Sequence, residues 1–131
     1  MTYYQQEIER ITREFYPEEA ACRQVRQAKA FIDTHYADPI RLNDLAAQAH
    51  YSTYHFLRLF KFLYGTTPHQ YLTRVRLKKA KDLLAEGFTT TQVCQAVGFE
   101  SSSGFKALFR KDTGRTPQAY RMARAVASGR K

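Results

Sequence analysis

Leu59 to Tyr71 reads LFKFLYGTTPHQY, and Leu108 to Tyr120 reads LFRKDTGRTPQAY. The second stretch follows the first by 49 residues, with Leu, Phe, a basic residue, Gly, Thr, Pro and Tyr in register. Recurrence at such a spacing marks one supersecondary unit used twice. Each copy ends a helix at a glycine and starts the next at Thr-Pro, where threonine caps and proline takes the first helical position.

Outward from the repeat, the periodicity is helical almost throughout, and no alternating stretch argues for a strand. Ser52 is a suitable N-cap for a helix to about residue 64, and Gly65 stops it. Thr67 and Gln70 form a capping box around Pro68, opening a helix that runs to about Ala85 before Gly87. At 1.5 Å per residue its eighteen residues span ~27 Å. Its apolar positions (Leu72, Val75, Leu77, Ala80, Leu83, Leu84) predict contact with bodies at both ends. Ahead of the first copy lie a weak amphipathic helix over 4–15 and a helix over about 19–36 closed by Asp38-Pro39, and the copy itself opens with a short helix over about 42–49 leading to a His50-Tyr51 turn. Thr89 and Gln92 cap the matching short helix of the second copy, with Val93, Cys94, Ala96 and Val97 inward. Gly98-Phe99 makes its turn, a helix covers about 102–111, and Gly114 and Thr116-Pro117 lead to a last helix over about 117–126.

The chain has 131 residues, 44% of them hydrophobic, which suffices for one compact body or two very small ones with real cores. No run approaches the ~20 apolar residues of a membrane span. The start, MTYYQQEIERITREFY, lacks the basic-then-apolar layout of a signal peptide, so a cytoplasmic protein is expected. Residues 1–39 carry five Lys/Arg against seven Asp/Glu, net −2, while residues 40–131 carry sixteen against five, net +11. The positive charge belongs to the duplicated region and predicts a polyanionic partner. Cys22 and Cys94 are too few for a disulfide scaffold, and Cys94 reads as a small buried hydrophobe.

Helical geometry separates core from solvent at 100° per residue. In the helix after Ser52, Phe56, Leu59, Phe60 and Leu63 form the inner stripe, and Tyr54, Leu57, Arg58 and Lys61 point away. In the second copy Phe105, Leu108 and Phe109 are expected inside and Ser102, Ser103, Lys106, Ala107 and Arg110 outside.

Two helices around a tight turn, the second Ser-capped and basic, make a helix-turn-helix. With two of them on a linking helix, the chain closely resembles the DNA-binding domain of the AraC/XylS family of bacterial transcription regulators. The matching pieces are LAAQAHYSTYHFLRLFK, GTTPHQYLTRVRLKKAKDLL and VCQAVGFESSSGFKALFRKDTGRTPQAYR, within about Val25 to Arg121. The fold expected is therefore all-α: a first helix-turn-helix subdomain over 19–66, a linking helix over 67–86 and a second subdomain over 87–126. An N-terminal helix (1–18) and a basic tail (127–131) flank them. The resemblance implies double-stranded DNA as partner, with each recognition helix in a major groove. Only about 24 residues precede the match, so a small stand-alone regulator binding DNA as a monomer is expected, with a fragment of a longer regulator as the alternative.

Arg58 is the leading base reader, because its fork matches guanine O6 and N7. Tyr54 stands within reach of a base edge or a phosphate. Leu57 is either a thymine-methyl contact or an ordinary exposed leucine. Matching the family pattern brings Ser102, Ser103 and Lys106 nearest the bases in the second copy. Arg41, Ser52, Lys61, Thr67, Arg110 and Thr116 are expected on the DNA backbone, which fixes register without reading sequence. Arg76 matches a position where the family usually has arginine, and is expected to brace the two bodies through an acidic or carbonyl partner. Three departures stand out. Ser102, Ser103 and Gly104 are smaller than the family's usual polar residues and discriminate weakly, so the first helix is expected to specify and the second to anchor. His50 occupies the turn position held by Gly98 in the other copy, and Arg41 replaces a usual N-cap residue.

No enzyme site, metal or cofactor is expected. His35, His50, His55 and His69 do not fall at metal-ligand spacings, and no phosphate loop or nucleophile elbow occurs. Cys22 lacks the cysteine cluster of a metal-assisted methyl acceptor. The function expected is sequence-specific, promoter-bound transcription regulation on the nucleoid. Activation is expected by family analogy alone, with RNA polymerase a candidate contact for the N-terminal helix. The rival is an architectural or weakly specific DNA-binding protein.

Overall fold

Periodic apolar residues and strong local caps account for each helix of the computed structural model, which describes residues 2–6, 19–48 and 52–127; no strand occurs among them. The order is α1 (Glu19–His35), α2 (Leu42–Gln48), α3 (Thr53–Tyr64), α4 (Pro68–Ala85), α5 (Thr90–Val97), α6 (Ser102–Thr113) and α7 (Pro117–Ala127). Most of the expected N-terminal helix, and His50 with its turn, lie outside the described residues; Tyr3–Gln6 are helical.

The caps follow the sequence closely. The Ser52 hydroxyl accepts from the His55 N–H at 3.2 Å. Thr67 and Gln70 exchange their reciprocal bonds at 3.1 and 3.2 Å, and Thr89 and Gln92 do the same at 3.2 and 3.0 Å. Each box satisfies amide groups that a helix start leaves without partners. Gly65 and Gly114 close α3 and α6 with φ of 71° and 78°.

The chain divides into two compact units, Met1–Thr34 with Ile40–Tyr71, and His35–Pro39 with Leu72–Lys131. In the first, Val25, Ala28, Ile32, Leu45, Ala46, Phe56, Leu59 and Phe60 are buried. In the second, Leu77, Ala80, Leu84, Val93, Cys94, Val97, Phe105 and Phe109 form one core, joined by Tyr36, Leu83, Phe99 and Tyr120. The repeat is therefore larger than the block that betrays it. Leu77, Ala80 and Leu84 on α4 each stand 52 residues after Val25, Ala28 and Ile32 on α1, so every unit is a packing helix followed by a helix-turn-helix.

Two inward expectations fail. Leu108 is 39% exposed, whereas Leu59, its counterpart, is buried. The residue one turn beyond Leu59 is the half-buried Leu63; beyond Leu108 it is Asp112, which is ion-paired to Lys81 at 2.9 Å near the solvent boundary. Ala96 is exposed because the stripe formed by Val93, Cys94 and Val97 is centred some 110° away around α5.

Inside the second unit, Arg76 donates from Nε to the Tyr36 carbonyl at 2.7 Å and from Nη2 to the Asp38 carbonyl at 3.0 Å. Its guanidinium also lies 5.8 Å from the Phe99 ring, and burial pulls its pKa below the usual value. The carbonyl partner anticipated for Arg76 is thus present, and the segment it holds belongs to its own unit. Arg121 similarly donates to the Gly87 carbonyl at 3.1 Å, tying α7 to the turn after α4.

Candidate nucleic-acid interface

In α3 the inner stripe of Phe56, Leu59 and Phe60 leaves the opposite side of the helix to polar groups. Phe56 and Phe60 pack ring to ring at 5.9 Å, and Phe60 meets Tyr64 and Tyr71 at 5.0 and 6.0 Å, which fixes the rotation of α3 about its axis. Tyr54 is 69% exposed and Lys61 is exposed, while Leu57 and Arg58 are half-buried. One helical turn apart, Tyr54 and Arg58 meet: Arg58 Nη1 donates to the Tyr54 hydroxyl at 3.2 Å, and the guanidinium lies 5.4 Å from the ring centroid. A guanidinium against an aromatic ring loses fewer rotamers on binding than one waving in water. Thr53 donates to Asn43 Oδ1 at 2.6 Å, so a side chain of α2 is tied to the first residue of α3. The sequence reading passed over Asn43; a polar residue facing the start of the next helix was its only signal.

In α6 the buried residues are Phe105 and Phe109, 5.8 Å apart edge to face, and Phe105 packs on Phe99 of the turn at 5.1 Å. Ser102, Ser103, Gly104, Lys106, Ala107 and Arg110 are all exposed. The N-cap is Ser101, whose hydroxyl accepts from the Gly104 N–H at 3.1 Å. This leaves Ser102 and Ser103 in the first turn with side chains on the exposed side. Small residues there let another molecule approach the helix start closely.

Of the backbone candidates, Arg41, Ser52, Lys61, Arg110 and Thr116 are exposed and Thr67 is half-buried. The hydroxyls of Ser52, Thr67 and Thr116 each accept a capping bond, from His55, Gln70 and Ala119 respectively. A hydroxyl so engaged can still donate its proton to a phosphate oxygen. Arg41 carries no oxygen to cap α2; its carbonyl accepts from the Asp44 and Leu45 amides, and its side chain is left to solvent.

Among the described residues no group of His, Cys, Asp and Glu could hold a metal ion, and no helix is long and apolar enough to cross a membrane. Burial pushes the Cys94 thiol pKa up, which keeps it protonated and a weak nucleophile.

Two helix-turn-helix units, each with a packing helix beneath and a polar recognition-helix face, define a tandem DNA-binding domain. Comparison with known proteins agrees. A helix-turn-helix domain family matches residues 45–123. The regulatory protein PocR of Salmonella typhimurium is 34% identical over 98 residues, covering 74% of this chain and 32% of the relative. The transcriptional activator RhaS of Klebsiella pneumoniae is 35% identical over 101 residues, covering 76% of this chain and 36% of the relative. Among solved structures, the DNA-binding domain of AdpA in complex with a target DNA is 29% identical with a TM-score of 0.77, covering 82% of this chain and 97% of that one. The chain belongs to the AraC-type helix-turn-helix family of DNA-binding transcription regulators. It spans about a third of the length of the curated relatives it matches.

Proposed function

We propose that the protein is a sequence-specific DNA-binding regulator that sets α3 and α6 into adjacent major-groove segments and activates transcription. The observation that carries this reading is the Tyr54–Arg58 pair on the outward side of α3, matched by Lys106 and Arg110 on α6, in a region of net charge +11. Arg58 reads a base edge beside Tyr54 and Leu57, while Ser102, Ser103 and Lys106 approach bases from α6. Arg41, Ser52, Lys61, Thr67, Arg110 and Thr116 hold phosphates. In functional terms the parts are a first subdomain over 19–66, a linking helix over 67–86 and a second subdomain over 87–126. The AdpA domain, solved with its target DNA, and the activator names of the RhaS relatives support this reading. A monomer on DNA in the cytoplasm, with RNA polymerase as a second partner, completes it.

Competition binding is the test: the preferred site should win by ~10³-fold or more over random DNA. The rival, an architectural binder, draws on one observation, the small Ser102, Ser103 and Gly104 at the start of α6. A ratio near unity across a randomised library would decide for that rival. Within the specific reading, Arg58→Ala should cost about 1–3 kcal/mol at the preferred site and relax a single base position. If every sequence weakens alike, Arg58 is a phosphate contact.

A further inference from the structure

The two copies differ beside their conserved tyrosines. In the first unit, Tyr64 packs on Phe60, and Lys29 lies over the rings of Tyr64 and Tyr71 at 5.5 and 5.0 Å. In the second unit Phe109 and Tyr120 keep the aromatic contact at 5.4 Å, but the counterpart of Tyr64, 49 residues on, is Thr113. Beside Thr113 the second unit has a hollow of about 390 Å³, lined by Thr113, Arg115, Tyr120, Ala123 and Arg124. That volume falls in the range of small-molecule sites, ~300–1,000 Å³.

Its chemistry is one-sided, since two arginines line it and no acidic residue does. Arg124 donates from Nε to the Tyr120 hydroxyl at 3.3 Å and lies 5.4 Å from that ring, which restrains it. The Thr113 hydroxyl accepts from the Arg115 N–H at 3.1 Å and lies 3.0 Å from the Arg115 carbonyl, fixing the backbone beneath that side chain. Among the described residues, the Arg115 guanidinium makes no hydrogen bond or ion pair, and that of Arg124 makes only the bond to Tyr120. Two unneutralised guanidiniums in a concavity attract a doubly charged anion, and their planar forks match phosphate oxygens. We infer that the cavity beside Tyr120 binds a small phosphomonoester, the phosphate held between Arg115 and Arg124 and the organic body filling the space beside Thr113.

Calorimetric titration of the whole chain with phenyl phosphate, inorganic phosphate and phenol tests this. Phenyl phosphate should bind saturably at one site with a millimolar or tighter Kd, and phenol should not bind. Arg115→Gln and Arg124→Gln should each weaken phenyl phosphate by about tenfold, with unchanged melting temperatures. Equal binding by the double variant overturns the inference. Preference for inorganic phosphate over the ester would mean an adventitious ion only, which overturns it too. If phenyl phosphate fails to saturate by about 10 mM, while the double variant loses affinity for all DNA sequences alike, the two arginines serve the DNA backbone instead.

Discussion

Gly98→Ala is expected to destabilise the second unit by about 2–5 kcal/mol, measured as loss of unfolding free energy in urea. Gly98 sits at φ 92°, where a non-glycine residue costs ~1–2 kcal/mol. A Cβ there would also lie 2.7 Å from the Ala37 carbonyl oxygen and 2.9 Å from its carbon. The segment it strikes cannot readily retreat, because Arg76 grips the carbonyls of Tyr36 and Asp38 on either side. Overpacking of this kind adds about 1–3 kcal/mol. Gly114 supplies the control. Its φ of 78° carries the same conformational penalty, but nothing lies within 4 Å of the added methyl. Gly114→Ala should therefore cost only the backbone part, and equal losses for the two variants would contradict the packing described around Ala37. A loss of this size matters because a small domain holds only about 5–15 kcal/mol in all.

Salt should change DNA affinity steeply. Arg41, Arg58, Lys61, Lys106 and Arg110 are the cationic members of the proposed interface. Of these, Arg41, Lys61 and Arg110 hold phosphates, and neutralising about three phosphates gives a slope of roughly −2.7 in log K against log salt. Raising salt fourfold, from about 50 to about 200 mM, should then weaken binding by ~40-fold. Filter binding or fluorescence anisotropy on a single duplex reads this directly. A slope shallower than about −1 would mean that most of the side chains assigned to phosphates stay in solvent.

What the sequence made legible was local chemistry. The capping boxes at Thr67 and Thr89, the Ser52 cap and the glycine stops at Gly65 and Gly114 depend on neighbours three to five residues away, and all of them stand in the structure. The core stripes of α3 and α6 were legible for the phenylalanines. Leu108 was not: it stands exposed where its counterpart Leu59 is buried, and the residue a turn beyond it is Asp112, not an apolar partner. The deeper repeat, with α1 and α4 as equivalent packing helices, was hidden by connections of different length. The offset is 52 residues on the packing helices and 49 at the Thr-Pro block, so no single register aligns both. For Arg76 the resemblance supplied the class of partner, while the carbonyls of Tyr36 and Asp38, some forty residues earlier, come from tertiary structure alone. The cavity at Thr113 escaped for a similar reason: Thr113, Arg115, Tyr120 and Arg124 line one hollow only in the folded chain.

Both copies are proposed to dock on one duplex through the exposed sides of α3 and α6. Hydroxyl-radical footprinting of the whole chain on its selected site tests it most directly. Two protected segments are expected on one face of the DNA, with centres about one helical turn (~34 Å) apart. A single protected segment, or two on opposite faces, would contradict it.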